Sequence, residues 1–266
     1  MRINKEKGIG TVIFLVEGQK FELSLLKILF VDVLGYEYCS KRRGQKNYYQ
    51  KGNNPMSKVF VVNTSSSNLS SIENTDFIDN LYAEIQEQYD VKIDDTAIFY
   101  LFDRDPGSNT ESKKYFAFHE KYIDPWENPD NLNGGQLLLS YPSFESYEVS
   151  CFQDDTYLLQ FGLGKELKRM ITDEENRKIY QLNKIGEEEI KHATTEFLKY
   201  IQDSNLKVEM DSLGLLPKQI YEQQETFYQQ NNSTYKLLSL LTIAFLQLGI
   251  IEIEDEFVDT FIPAQY

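Results

Sequence analysis

Over the first 152 residues, short apolar runs alternate with stretches whose apolar positions recur every three or four residues. The first run, TVIFLV (residues 11–16), is mostly β-branched or aromatic and ends in Glu17 and Gly18. A run of this length between turn signals predicts a buried strand, and a 3.6-residue period predicts a helix. FELSLLKILFVDVLG (21–35) follows, with a stripe of Leu25, Leu26, Ile28, Leu29 and Val33 and a closing Gly35. Further strands are predicted over 57–64, 97–102 and 136–142, and helices over 76–89, 111–123 and 143–152. This β-α-β-α-β-α-β-α order implies a parallel sheet with helices on both faces. From Gly164 onward only helical patterns are visible, over 165–171, 186–202, 217–230 and 234–248. The terminal run from Ile250 to Ile262 reads as a strand or a last helix. The expectation is an α/β domain over 1–152 and a helical C-terminal domain over 153–266.

Composition narrows the class. Hydrophobic residues make up 41 % of the chain and aromatics 14 %, enough for a packed core. The net charge of −15 argues against a generic basic coat for nucleic acid, though not against contact through a local basic patch or bridging metal ions. Cys39 and Cys151 form no CxxC, and His119 and His192 stand alone, so soft ligands are too few for a structural zinc site. The N-terminus lacks the apolar core of a signal peptide. The most apolar segment, Leu237–Ile251, is broken by Ser239, Thr242 and Gln247 and falls short of the roughly 20 residues of a membrane span. A soluble, cytoplasmic protein is expected.

The candidate chemistry lies where the strands end. Parallel strands one and three place Glu17 and the pair Asp103/Asp105 on one edge, and a flavodoxin-like order makes those strands neighbours. Alternate residues of an extended segment face one side, so both aspartates can reach one site. Glu145, just past strand four in YPSFE, adds a fourth acid on that edge. Such carboxylates repel one another and raise their pKa values unless a hard cation joins them. One or two Mg²⁺ or Mn²⁺ ions are the expected cofactors, two suiting phosphodiester hydrolysis at roughly 3.5–4 Å apart. Gly18 allows close approach of the backbone.

Tyr38 to Ser71 contains no acid and carries Lys41, Arg42, Arg43, Lys46, Lys51 and Lys58, with Tyr48 and Tyr49 between them. This stretch reads either as a solvated loop or as a grip on phosphates with tyrosines to stack on bases. His119 reads as structural or surface, and His192 as surface. Neither has a Ser or Cys pattern near it that would suggest a triad.

FLVEGQKFE resembles the opening motif of Toprim domains, in particular the RloB-like and OLD-family branch, in which a Glu-Gly pair follows strand one and a second Glu comes four residues after the Gly. Here these are Glu17, Gly18 and Glu22. YLFDRDPGS is similar to the family's Asp-x-Asp at strand three, and LLLSYPSFESYEVSCF to the segment with Ser140, Pro142, Phe144 and Glu145. The resemblance covers roughly residues 10 to 152. It implies a Toprim-like (Rossmannoid) fold and a metal-dependent nuclease, often in bacterial phage defence and sometimes beside an ATPase partner encoded nearby. It further implies that Glu17 is the metal-linked general acid–base, that Asp103 and Asp105 hold the metal, and that Glu145 is either an added ligand or a group that supports the ligands from behind. By the same resemblance Arg104 is a candidate phosphate contact or, equally, a surface residue. The substrate would be DNA or RNA, tRNA included, and the chain a possible homo-oligomer. The alternative is a non-catalytic Toprim-like module that docks a partner ATPase. Haloacid-type phosphatases place their DxD on strand one, and receiver domains pair acids after strand one, so both fit this order less well.

Overall fold

The computed structural model describes residues 1–18, 20–39, 48–64, 75–89, 91–92, 95–107, 112–126, 134–206, 208–209, 213–253 and 261–262. Lys41, Arg42, Arg43 and Lys46, the heart of the basic stretch, lie outside the described residues, as does the serine-rich segment 65–71.

The chain begins with β1 (Arg2–Ile3) and β2 (Thr11–Val16). Helix α1 (Phe21–Lys27) runs on into a π-helical turn over Ile28–Val33 and stops at Gly35, whose φ of +70° disfavours a side chain. Then come β3 (Tyr36–Cys39), β4 (Tyr48–Lys51), β5 (Asn54–Asn63), α2 (Thr75–Tyr89), β6 (Thr96–Asp103), α3 (Ser112–Lys121), β7 (Ile123–Asp124), β8 (Gly135–Tyr141) and α4 (Ser146–Phe152). The second half holds β9 (Gln160–Phe161), α5 (Gly164–Thr172), α6 (Glu187–Asp203), β10 (Val208–Glu209), α7 (Leu216–Gln230), β11 (Tyr235–Lys236), β12 (Leu238–Ser239), α8 (Leu241–Gln247), β13 (Ile251–Glu252) and β14 (Phe261–Ile262).

The central sheet has the order β12-β8-β6-β2-β5-β4-β3, with β7 paired on β8. Its middle strands β8, β6, β2 and β5 are parallel, and β3, β4 and β12 are antiparallel additions at the edges. Val12 to Val16, all of β6 and all of β8 are buried, which is why these strands read as continuous apolar runs rather than alternating ones. The chain steps from β2 outward to β5, then crosses back to β6 on the other side of β2. The strand order therefore reverses between β2 and β6, the kind of crevice in which open α/β sheets bind ligands.

The chain beyond residue 152 shares this core. β12 adds to β8 through Leu238↔Tyr141, β13 pairs with β1, and Phe197, Ile220 and Phe245 pack in the same apolar cluster as Phe14 and Phe99. A helix predicted over 234–248 is corrected by the structure to two short strands and α8. Tyr235 pairs with Phe161 and Leu238 with Tyr141, so sheet partners distant in sequence override a local helical period.

The basic stretch is also partly a correction. Tyr38, Tyr48 and Tyr49 belong to an antiparallel β3–β4 hairpin, not to a loop. Tyr48 stacks on Phe60 at 5.3 Å and meets Tyr89 edge-on at 5.2 Å, so its ring is occupied inside an aromatic cluster. Lys51 is buried and donates to the Leu34 carbonyl at 2.7 Å, and Lys58 donates to the Tyr89 carbonyl at 3.1 Å. These two cations brace backbone rather than face a ligand.

Candidate functional site

β2 delivers Glu17 to the switch point, and the turn after it is clamped. The Asn63 amide at the end of β5 donates to the carbonyls of Glu17 at 2.7 Å and Gly18 at 2.9 Å. Glu22, one turn into α1, folds back over Gly18, and a Cβ placed on Gly18 would lie 2.2 Å from its Oε2. The glycine leaves room for the Glu22 carboxylate in its present position, and its φ is not unusual.

β6 brings the second acid. The Asp103 N–H donates to Glu17 Oε2 at 3.0 Å, so the two strand ends meet. Asp103 Oδ1 in turn accepts the Phe144 N–H at 2.8 Å, which ties β6 to the turn between β8 and α4. That turn carries Glu145, whose side chain is 12 % exposed. Asp105, past the end of β6, turns Oδ1 to the Gly107 N–H at 2.9 Å, while Oδ2 approaches the start of α5, 3.2 Å from where a Cβ on Gly164 would stand.

Five carboxylates thus gather at the switch point: Glu17, Glu22, Asp103, Asp105 and Glu145. The cation among them comes from the second half, Lys168 of α5, whose Nζ lies 3.4 Å from Glu145 Oε1. Burial raises the Glu17 pKa to about 7; the Asp103 N–H draws it down, and Glu22 and Asp105 push it up. Burial, with the charges of Glu17 and Glu145, holds Asp103 well above the usual carboxylate range. Glu22 is raised by burial and by Glu145. Burial pulls Lys168 down, but the neighbouring Glu145 and Asp103 outweigh it and raise the ammonium pKa. Without a further cation, Glu17, Glu22 and Asp103 hold their protons to higher pH than free carboxylates do.

The donors suit a hard divalent ion. All are oxygens, and the Ser143 hydroxyl beside them is fully buried without a hydrogen-bond partner. Ser143 Oγ lies 3.5 Å from the position of a Gly164 Cβ, next to Asp105 Oδ2, so an oxygen-lined cradle forms where a larger residue would intrude. The structure joins the Glu17 carboxylate to the Asp103 backbone N–H, turns Asp103 Oδ1 to the Phe144 N–H, and sets Asp105 and Glu145 nearby.

Arg104 is a correction. Strand alternation turns it away from Asp103 and Asp105. It is 3 % exposed, its guanidinium pairs with Glu225 of α7 at 2.8 and 3.1 Å, and it lies over the rings of Tyr115 (4.7 Å) and Tyr235 (5.5 Å). An arginine so enclosed does not contact a phosphate. It ties the strand bearing both aspartates to α7. Glu22 was visible only through the family motif. Lys168 was missed, because nothing in a surface-like helix marks one lysine among Lys165, Lys168 and Arg169.

His119 is structural, buried against Tyr221 at 5.0 Å and kept neutral by burial, with Lys218 nearby, at a pKa of about 3. His192 departs from its surface reading. It belongs to a group of three, Asp154, His192 and Glu196, whose ligand atoms all lie within 4.8 Å of one another and could hold a metal ion; among the described residues no three carboxylates around Glu17 converge that closely. A groove of about 470 Å³ also runs along α7, lined by Gln219, Glu222, Gln223, Thr226 and Phe227. With one carboxylate and no cation in its lining, it does not suit phosphate chemistry.

Among the described residues no helix is long and apolar enough to cross a membrane. No protein-family model, curated protein or solved structure matches the chain.

Proposed function

We propose that this chain is a Mg²⁺- or Mn²⁺-dependent nuclease of Toprim-like type, hydrolysing phosphodiester bonds in DNA or RNA. The observation that carries the reading is the contact of Glu17 with Asp103 at the switch point, inside a cluster of five buried or half-buried carboxylates. Asp103, Asp105 and Glu145 are the residues that would hold the metal. Once bound, one or two such ions supply Lewis-acid stabilisation of the phosphate and an activated water. Burial raises Glu17 to about 7 in the metal-free cluster; a bound cation would lower that and leave its carboxylate ionised, ready to accept a proton as a general base. The Asp103 N–H fixes the direction of its carboxylate, and Asn63 fixes its backbone. Lys168 offers an ammonium beside the same acids, suited to a phosphate oxygen. A role in phage defence, cytoplasmic location and control by a partner ATPase are proposed with the nuclease, on the motif resemblance alone.

The test is cleavage of plasmid DNA and of total tRNA by the purified chain, with its ATPase neighbour where one is encoded, in Mg²⁺ or Mn²⁺. Cleavage that Glu17→Ala abolishes supports the reading. No cleavage of either substrate, or cleavage indifferent to Glu17→Ala, refutes it. Biological function retained after replacing Glu17, Asp103 and Asp105 together would favour the docking-module alternative.

A further inference from the structure

At the end of α4 remote from Glu145, the chain turns through Asp154 and Asp155 into a short 3₁₀ turn at Thr156–Leu158. Asp155 takes a left-handed conformation there, with φ of 53°. α6 lies alongside α4 and brings His192, Glu196 and Lys199 to this turn.

His192 Nδ1 lies 2.7 Å from the Ser150 carbonyl oxygen. A carbonyl only accepts, so Nδ1 carries the proton, and the lone pair of a neutral ring sits on Nε2. Nε2 faces Asp154 Oδ1 at 3.1 Å. Two acceptors repel at that distance, so a cation belongs at this point, either a proton on Nε2 or a metal ion. Glu196 is buried, and its Oε2 accepts the Thr156 N–H at 2.7 Å and the Thr156 hydroxyl at 3.2 Å. Lys199 donates to Glu196 Oε1 at 2.8 Å and to Asp155 Oδ1 at 2.9 Å, and stands 3.9 Å from Asp154.

Asp154 and Asp155 are 82 % and 54 % exposed and screened by water, so charge alone does not choose between the two; three ligand atoms converging within 4.8 Å are what a metal ion uses and a proton does not. We propose that Asp154, His192 and Glu196 form a divalent transition-metal site of the kind zinc occupies, separate from the all-oxygen cluster at the switch point. An imidazole nitrogen with two carboxylates selects zinc-like ions over Mg²⁺. The Ser150 carbonyl, Thr156 and Lys199 act as outer-shell groups that orient the ligands. The ion pins the turn after α4 to α6 and so steadies the helix whose other end bears Glu145. The shortage of cysteines that argued against zinc is met by carboxylates. The inference stands independently of the nuclease reading.

The experiment is zinc uptake by the full chain, stripped with a chelator and then dialysed against zinc in excess Mg²⁺, which competes for all-oxygen sites, with Glu17→Gln as the comparison for zinc taken up at the switch point. The expected result is one zinc per chain, with affinity weakened more than about tenfold in His192→Gln and in Glu196→Gln and unchanged in Glu17→Gln. Zinc should also raise the Tm of the wild type but not of His192→Gln. On the wild type alone, ¹⁵N NMR should show the His192 Nε2 resonance moving on zinc addition, a readout that survives if the variants fail to fold. No zinc uptake in excess Mg²⁺, uptake undiminished in His192→Gln, or a His192 ring that responds to pH but not to zinc would each overturn the proposal and leave an ion pair only.

Discussion

Glu17 Oε2 accepts a hydrogen bond from the backbone N–H of Asp103 at 3.0 Å, joining the ends of two neighbouring parallel strands. The bond lowers the Glu17 pKa, yet burial wins and sets it at about 7, against 4.5 for a free side chain. Because the folded-state value is raised, the stabilising contribution is complete below pH 4.5 and is lost as pH rises through about 7. Glu17→Gln is neutral at every pH. In chelator-treated protein it should therefore match the wild type in acid and exceed it above neutrality, on the order of 2 kcal/mol after discounting for partial exposure. Thermal melts across pH check this. A stability difference that does not grow with pH would show that Glu17 is not desolvated as described.

The same substitution should lower cleavage by at least about 100-fold while the fold persists, since a general acid–base contributes roughly that much or more. Single-turnover cleavage with Mn²⁺, beside a circular dichroism spectrum, measures it. Unchanged cleavage with an intact spectrum would remove Glu17 from the chemistry.

The strand ends were legible because their physics is local. TVIFLV, AIFYLF and QLLLSYP are apolar runs closed by turn residues, and the parallel order then puts Glu17, Asp103, Asp105 and Glu145 on one edge. What stayed hidden depends on partners far along the chain. Arg104 takes its meaning from Glu225, 121 residues later, and Lys168 from Glu145 on another helix. Leu238 lies in a segment with helical period but finds a free edge at Tyr141. His192 looked solvated because its partners, Ser150 in α4 and Asp154 in the turn after it, lie about 40 residues earlier.

Arg104→Ala should act through stability. It leaves Glu225 half-enclosed with its guanidinium partner gone, a loss of about 3–5 kcal/mol by analogy with buried pairs whose partner is removed. Replacing both partners, Arg104→Met with Glu225→Gln, should recover much of it, because Tyr235 can still donate to the amide oxygen. Denaturant titration of the single and double variants decides the point. A stable Arg104→Ala with weakened nucleic-acid binding would restore the phosphate role.

Gly164→Ala probes the cradle. The new Cβ would lie 3.1 Å from Ser143 Cβ and 3.2 Å from Asp105 Oδ2, closer than ordinary contact. Gly164 opens α5 and its φ is not in the left-handed region, so alanine fits the backbone there and the fold should survive. The displaced Asp105 should weaken Mn²⁺ binding by about tenfold, read by calorimetry. Unaltered affinity would mean that Asp105 is not a ligand.

Lys168 offers the sharpest separation of metal binding from phosphate chemistry. Its ammonium lowers the pKa of Glu17, Glu22 and Asp103 alike, and its Nζ stands 3.4 Å from Glu145. It therefore competes with a metal for these carboxylates while favouring their ionised forms. In Lys168→Met the first effect should dominate for a divalent ion, whose attraction to each carboxylate is twice that of an ammonium at equal distance. Mn²⁺ binding at neutral pH should then be held or tightened. Cleavage should nevertheless fall by about 100-fold or more, as when a charge aimed at a transition-state oxygen is removed. Calorimetry with Mn²⁺ and cleavage kinetics on one preparation read the two effects side by side. Tighter or equal metal binding with lost cleavage assigns Lys168 to the phosphate. Metal binding and cleavage lost together would make Lys168 a structural counter-charge that merely keeps Glu145 and Asp103 in place.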